Sequence, residues 1–198
     1  MKFLTFVDVH LQQKHITDLV LRAREKDVDF IICAGDLSVF GKGIEKTLGA
    51  FAGVGKKVYV IPGNHEEHLD LTNVLAPFAF CVNLHQKALE IGEYVFLGYG
   101  GGGFAVHDEE FRKLAREWYG KYNGRKVVLV THGPPAETKL DLLEKRHVGN
   151  VDYRKFIERI HPRLVICGHL HERAGMIDVI ADTRLLNPGW EGKVVELK

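Results

Sequence analysis

The chain has 198 residues, with 27 Lys+Arg against 26 Asp+Glu, a formal net charge of +1, 45% hydrophobic and 27% charged residues. That length suits one well-buried domain, read here as residues 1–198, and the composition excludes a disordered or fibrous chain. The near-neutral balance gives no general basic field for a nucleic-acid polymer or an acidic membrane surface, so an anionic substrate has to be attracted locally.

Residues 2–9 (KFLTFVDV) read as a buried strand, and residues 15–26 as a helix with Ile16, Leu19, Val20 and Ala23 on one stripe. A second strand is predicted over 28–34, a helix over 43–52 and a third strand over 57–61, the alternation of parallel βαβ units. Residues 88–98 (ALEIGEYVFLG) predict a hairpin about a Gly-Glu turn. Residues 108–121 predict an amphipathic helix with Asp108 as its N-cap and Phe111, Leu114, Ala115 and Trp118 on one face. A buried strand follows at 126–131, then a long connection over 133–149, a helix over 151–160, a strand over 163–167 and short strands over 176–197. Parallel units first and hairpins later suggest two sheets packed face to face with helices outside.

Five strand patterns end alike: the apolar run stops and polar ligand-type residues follow at once. These are Asp8 and His10, Asp36, Asn64 and His65, His132, and His169 and His171. Groups at the carboxyl ends of parallel strands converge on one rim. Carboxylate, imidazole and amide oxygen suit first-row divalent metals. There are too many ligands for one tetrahedral ion, whereas two ions sharing Asp36 would use them well, the arrangement of two-metal hydrolases. Gly35, Gly63 and Gly168 adjoin these residues and permit sharp turns.

In this order the motifs D-x-H, GD, GNHE, THGPP and GHLH resemble the calcineurin-like metallophosphoesterase superfamily over about residues 3–190. The resemblance implies an α/β (α+β) fold: a four-layer αββα sandwich, two mixed sheets face to face. It implies one metal on Asp8, His10, Asp36 and His171, and a second on Asp36, Asn64, His132 and His169. Asp36 would bridge them together with a water or hydroxide that attacks phosphorus, and His65 would face the substrate. His65, Asp36 and Asn64 are thus the expected catalytic residues, and two divalent ions the cofactors, Mn²⁺ ahead of Fe, Zn, Co, Ni or Mg. The implied activity is hydrolysis of a small phosphorylated molecule or nucleotide, diester ahead of monoester. The alternative is a non-catalytic, metal-binding interaction scaffold of the same fold. The segment HVGN at 147–150 and the late T-x-x-x-N-P resemble a cyclic-nucleotide phosphodiesterase-like branch, while Leu11 stands where many members have a small residue near the first metal.

The remaining features have plainer readings. Gly100 to Gly103 read as a rim loop, because no GK[ST] follows to make a phosphate-cradling loop. In 133–149, Glu137, Lys139, Asp141, Lys145, Arg146 and His147 are candidate substrate contacts, His147 first. Glu66 and Glu172 adjoin metal-site histidines and could orient them. His15, His68, His85 and His161 read as surface or helix-end residues, and Trp118 and Trp190 as packing. Cys33, Cys81 and Cys167 have no CxxC spacing and fit a reducing compartment. No apolar stretch approaches the roughly 20 residues of a membrane span, and the start MKFLTFVDVH reads as a strand rather than a leader. A cytoplasmic location, no membrane contact and an open possibility of a homodimer complete the expectations.

Overall fold

A computed structural model describes residues 1–198. Strands β1 (Lys2–Phe6), β2 (Phe30–Cys33), β3 (Val58–Val60) and β4 (Cys81–Asn83) run parallel, with β13 (Lys193–Glu196) antiparallel on the far side of β1. The second sheet centres on β6 (Tyr94–Tyr99), β7 (Lys126–Thr131), β10 (Leu164–Ile166) and β12 (Thr183–Leu186), also parallel. It is edged by antiparallel β5 (Lys87–Ile91) and β11 (Ile177–Ile180). A two-stranded ribbon, β8 (Leu142–Leu143) with β9 (Arg146–His147), lies within the long connection.

Alternation along the strands builds the layers. Phe3, Ile32, Phe96, Val128 and Ile166 pack between the two sheets. Their neighbours Leu4, Phe6, Ile31 and Cys33 face α1 (Gln13–Ala23), α2 (Ile44–Ala50) and α3 (Leu71–Leu75) on one outer side. Val95, Leu97, Val127 and Leu129 face α4 (Glu109–Tyr122) and α5 (Val151–Ile160) on the other. The result is the four-layer αββα sandwich expected from the resemblance. Burying a Phe or Leu in such a layer contributes about 1.5–3 kcal/mol, and because each sheet is covered on both faces its strands read as continuous apolar runs.

The predicted elements hold with shifted ends. β7 and α5 keep their boundaries, α1 starts at Gln13 and ends at Ala23, and Asp108 caps α4 by accepting from the Phe111 amide at 2.8 Å. Neither α3 nor β4 was read from sequence. At five and three residues they are too short to show a period, and tertiary packing holds them. The long connection is not structureless: a 3₁₀ turn at Lys139–Asp141 and the β8–β9 ribbon order it. Cys33 and Cys167 are buried free thiols, and burial raises both their pKa values. No helix is long and apolar enough to cross a membrane.

Candidate metal centre

All five ligand-bearing loops leave the carboxyl ends of β1, β2, β3, β7 and β10, and the two-sheet packing brings them to one rim. They are stitched to one another by main-chain bonds. The Asp8 amide donates to the Gly35 carbonyl (3.1 Å), the His10 amide to Asp36 (3.1 Å) and the Gly168 amide to His132 (2.7 Å). Asp8, His10, Asp36 and His169 all have left-handed φ, between 39° and 70°, strained for residues with a Cβ. Such strain concentrates where the surrounding fold over-determines a functional side chain. The glycines serve close approach: a Cβ on Gly63 would collide with the Asp36 carboxylate, and one on Gly168 with Val7.

The side chains form three overlapping groups with ligand atoms within 4.8 Å of one another: Asp8, His10 and His171; His10, Asp36 and His65; Asp8, Asp36 and His132. Asp36 Oδ2 lies 3.4 Å from His10 Nε2 and 3.5 Å from His132 Nε2, facing both halves of the cluster, while its Oδ1 accepts the His65 amide at 3.0 Å. Asn64 Oδ1 is 3.0 Å from His132 Nε2 and 2.9 Å from His169 Nδ1. His10 Nε2 and His171 Nε2 stand 3.1 Å apart. All seven residues expected to bind metal therefore meet in one place.

These residues fit divalent cations on grounds of their own. Asp8 Oδ1 and His169 Nε2 are buried without any hydrogen-bond partner, a cost of about 1–3 kcal/mol each unless a ligand is bound there. His10 and His132 each donate through Nδ1 to a carbonyl, of Ser38 (3.2 Å) and Ala34 (2.9 Å), which leaves the Nε2 lone pair free in the neutral ring. Burial pushes the Asp8 carboxyl up to about 6, helped by the neighbouring Asp36 charge and opposed by His132, His10 and the His169 amide. Burial pulls the His169 imidazole down to about 4, with His132 adding to the effect. Burial also disfavours a charged His132, but Asp36 and Asp8 outweigh it and its net shift is upward.

Of the supports, Glu66 was read from sequence as a residue that could orient a neighbouring histidine, and Phe40 was not read at all. Glu66 is 1% exposed and accepts the amides of Asp36 (2.8 Å), Ser38 (2.9 Å) and Gly63 (3.0 Å) as well as the Ser38 hydroxyl, so it fixes two ligand loops through their backbone. Its neighbour-of-histidine position gave only a weak signal. Phe40, with φ 50°, donates its amide to His65 Nδ1 at 3.2 Å and stacks on that ring at 4.2 Å between centroids. The neutral His65 therefore carries its proton on Nε2. His10 packs near its ring at 4.6 Å.

Other expectations change. His147 does not reach the cleft: its Nδ1 pairs with the buried Asp141 at 2.8 Å, and Asp141 also takes the amides of Glu137, Thr138 and Gly149. Of the 133–149 connection, Leu143 lines the cleft and the charged candidates do not. His85 is not an ordinary surface residue. It is half-buried, accepts the Gly100 amide at 2.9 Å and has its pKa lowered by burial, anchoring the glycine run. That run is a rim loop as read: Gly103 packs beside Asn64 and His169. Leu11 packs against Gly43 rather than lining the cleft. Glu172 is exposed at the cleft, His161 ends α5, Trp118 is core, and Trp190 lies 6.0 Å from His15 and from His171 between ring centroids.

A family model described as calcineurin-like phosphoesterase matches residues 1–173. The chain belongs to the calcineurin-like phosphoesterase family. As a member it is a metal-dependent phosphoric ester hydrolase, and the cluster above supplies candidate ligands for the metal. This phosphoesterase is similar to the uncharacterized protein MJ1162 of Methanocaldococcus jannaschii, 31% identical over 193 residues, 87% of this chain and 85% of that one. It is 28% identical to the UPF0046 protein K07C11.7 of Caenorhabditis elegans over 89% of this chain, spanning 66% of that relative's length. Its fold matches the crystal structure of TT1561 of Thermus thermophilus with a TM-score of 0.76 at 14% identity, over 96% of this chain and 90% of that one.

Proposed function

We infer that this phosphoesterase hydrolyses a small phosphodiester with two divalent cations, Mn²⁺ first among the metals that suit the ligand set. The observation that carries the two-ion reading is Asp36 Oδ2, set between His10 Nε2 and His132 Nε2 with the unpartnered Asp8 Oδ1 and His169 Nε2 nearby. Asp8, His10, Asp36 and His171 would hold one cation, and Asp36, Asn64, His132 and His169 the other. When bound, such a pair neutralises phosphate oxygens and makes water a better nucleophile at neutral pH.

The chain's own groups do the rest. Asp36 and Asp8 supply the negative charge, and Glu66 holds the Asp36 turn rigid. His65, at the cleft with Nε2–H available and Nδ1 fixed by Phe40, donates a hydrogen bond to the phosphoryl group and stabilises the charge that builds on its oxygens. Diester is favoured over monoester because no Lys or Arg lines the cleft, while Glu172 adds negative charge. A monoanion with two organic substituents suits that lining better than a dianion.

The test is hydrolysis of bis-p-nitrophenyl phosphate and p-nitrophenyl phosphate by metal-stripped protein, with and without Mn²⁺. Metal-dependent turnover with the diester preferred is expected. Two bound ions with no turnover of either ester would favour the scaffold alternative, and preference for the monoester would overturn the diester reading.

A further inference from the structure

Of the seven large hydrophobic side chains the fold leaves exposed, four sit on two loops beside the metal-ligand cluster. Val39 and Phe40 lie on the loop between β2 and α2, and Phe104 and Val106 on the loop between β6 and α4. Phe40 is 66% and Phe104 57% exposed, although each packs on a site histidine, Phe40 face-on to His65 and Phe104 edge-on to His169 at 4.4 Å. The two loops come from different sheets. Val39, Phe104 and Leu143 line the same cleft as His10, Asp36, Asn64 and His65, a space of about 550 Å³. That volume is right for a small organic molecule.

Large apolar groups left in water around a charged centre require a reason. Each costs burial that the fold forgoes, and Phe40 adds a left-handed backbone that a bulky residue rarely adopts. The lining also lacks any Lys or Arg, so no cationic side chain waits for a second phosphate or a carboxylate. The apolar rim is continuous with the reaction centre, which makes the organic part of the substrate its natural occupant.

Resting on the phosphodiesterase reading above, we propose that Phe104 and Val39, with Leu143, are specificity residues that hold a flat, uncharged aromatic substituent of a phosphodiester carrying no second anionic group. The edge-on contact with His169 leaves the Phe104 ring free to stack on such a group, and Val39 and Leu143 supply aliphatic walls. The phosphoryl group lies on the polar floor, and the substituent replaces water on the rim.

The test keeps the leaving group fixed. With Mn²⁺-loaded protein, kcat/KM is compared for phenyl p-nitrophenyl phosphate and methyl p-nitrophenyl phosphate, which release the same p-nitrophenolate. The phenyl ester is expected to be favoured about tenfold. Phe104→Ala should cut that ratio at least about fivefold, and Val39→Ser should move it in the same direction. A wild-type ratio near one, or a ratio unchanged in both variants, overturns the proposal and returns the rim to another partner. Calorimetric binding of phenylphosphonate against methylphosphonate to the Mn²⁺-loaded protein reads the rim without catalysis. Tighter phenylphosphonate binding that weakens in Phe104→Ala, with no turnover of any ester, would sink the hydrolase reading and leave the rim assignment standing. Equal affinities, or no binding of either phosphonate, would sink the rim assignment.

Discussion

The two sheets share a plan, four parallel strands with one antiparallel edge strand in the first and two in the second, yet they give the centre different chemistry. The first sheet contributes Asp8, His10, Asp36, Asn64 and His65 from the ends of β1, β2 and β3, and with them both carboxylates. The second contributes His132, His169 and His171 from β7 and β10, all imidazoles. One side thus brings charge and the other neutral donors. Supports follow the same split. Glu66 pins the Asp36 and Gly63 loops from inside the first sheet's rim, and the second sheet's histidines lean on contacts across the cleft, such as the His169 amide on Asp8 at 3.0 Å. On the two-cation reading proposed above, the first sheet would then govern metal affinity and the second the placement of the cations.

The largest break in that division is Asp36→Asn. It removes the carboxylate whose Oδ2 lies between His10 and His132, and both ions should be lost by elemental analysis, with turnover of bis-p-nitrophenyl phosphate down by roughly 10³-fold or more. Full occupancy in this variant would show that Asp36 is not shared. His65→Ala comes next and separates chemistry from binding: turnover should fall about 10²–10³-fold while two metals are retained. Unchanged turnover would remove His65 from the mechanism.

Glu66→Gln sharpens the comparison, because it acts on the first sheet through the backbone of the ligand loops and replaces no ligand side chain. One acceptor oxygen for several buried donors should lower metal affinity by about 10–100-fold and thermal stability by about 1–3 kcal/mol, read by calorimetry. An equal loss with no change in metal affinity would make Glu66 a purely structural brace. The smallest effect is on pH. With no metal bound, Asp8 keeps its proton below about 6, so a cation must displace it there. Apparent affinity should fall about tenfold per pH unit as pH drops below that value. Burial disfavours a charged His132 but Asp36 and Asp8 outweigh it, so its net shift is upward and acts in the same direction as Asp8. His169 is already neutral above about 4 and contributes no slope there. Titration calorimetry from pH 5 to 7 that shows a flat affinity would contradict the burial of Asp8 as the governing charge.

Much of the centre was legible because the chemistry sits where apolar runs stop. Strands such as Lys126–Thr131 announce themselves by β-branched runs, and the residue after each break, such as His132, is a ligand type. The supports were legible only in part. Glu66 looks like any glutamate after a histidine until the fold turns three amides toward it. Phe40 looks like a loop aromatic until its amide meets His65. His147 had the right residue type in the right segment and still turned away, because Asp141 offers it a buried partner. The short α3 and β4 had too few residues for any period to show.

Local order thus determined this protein's layers, its parallel units and the identity of its candidate ligand residues, since burial period and ligand type are written along the chain. Tertiary structure alone decided which imidazole nitrogen is free, which carboxylate oxygen faces both halves and which aromatic rings stay in water. Those depend on distances between atoms that are 28 to 161 residues apart in sequence, such as His10 to Ser38 and His10 to His171, and only the packing of one sheet on the other sets such distances.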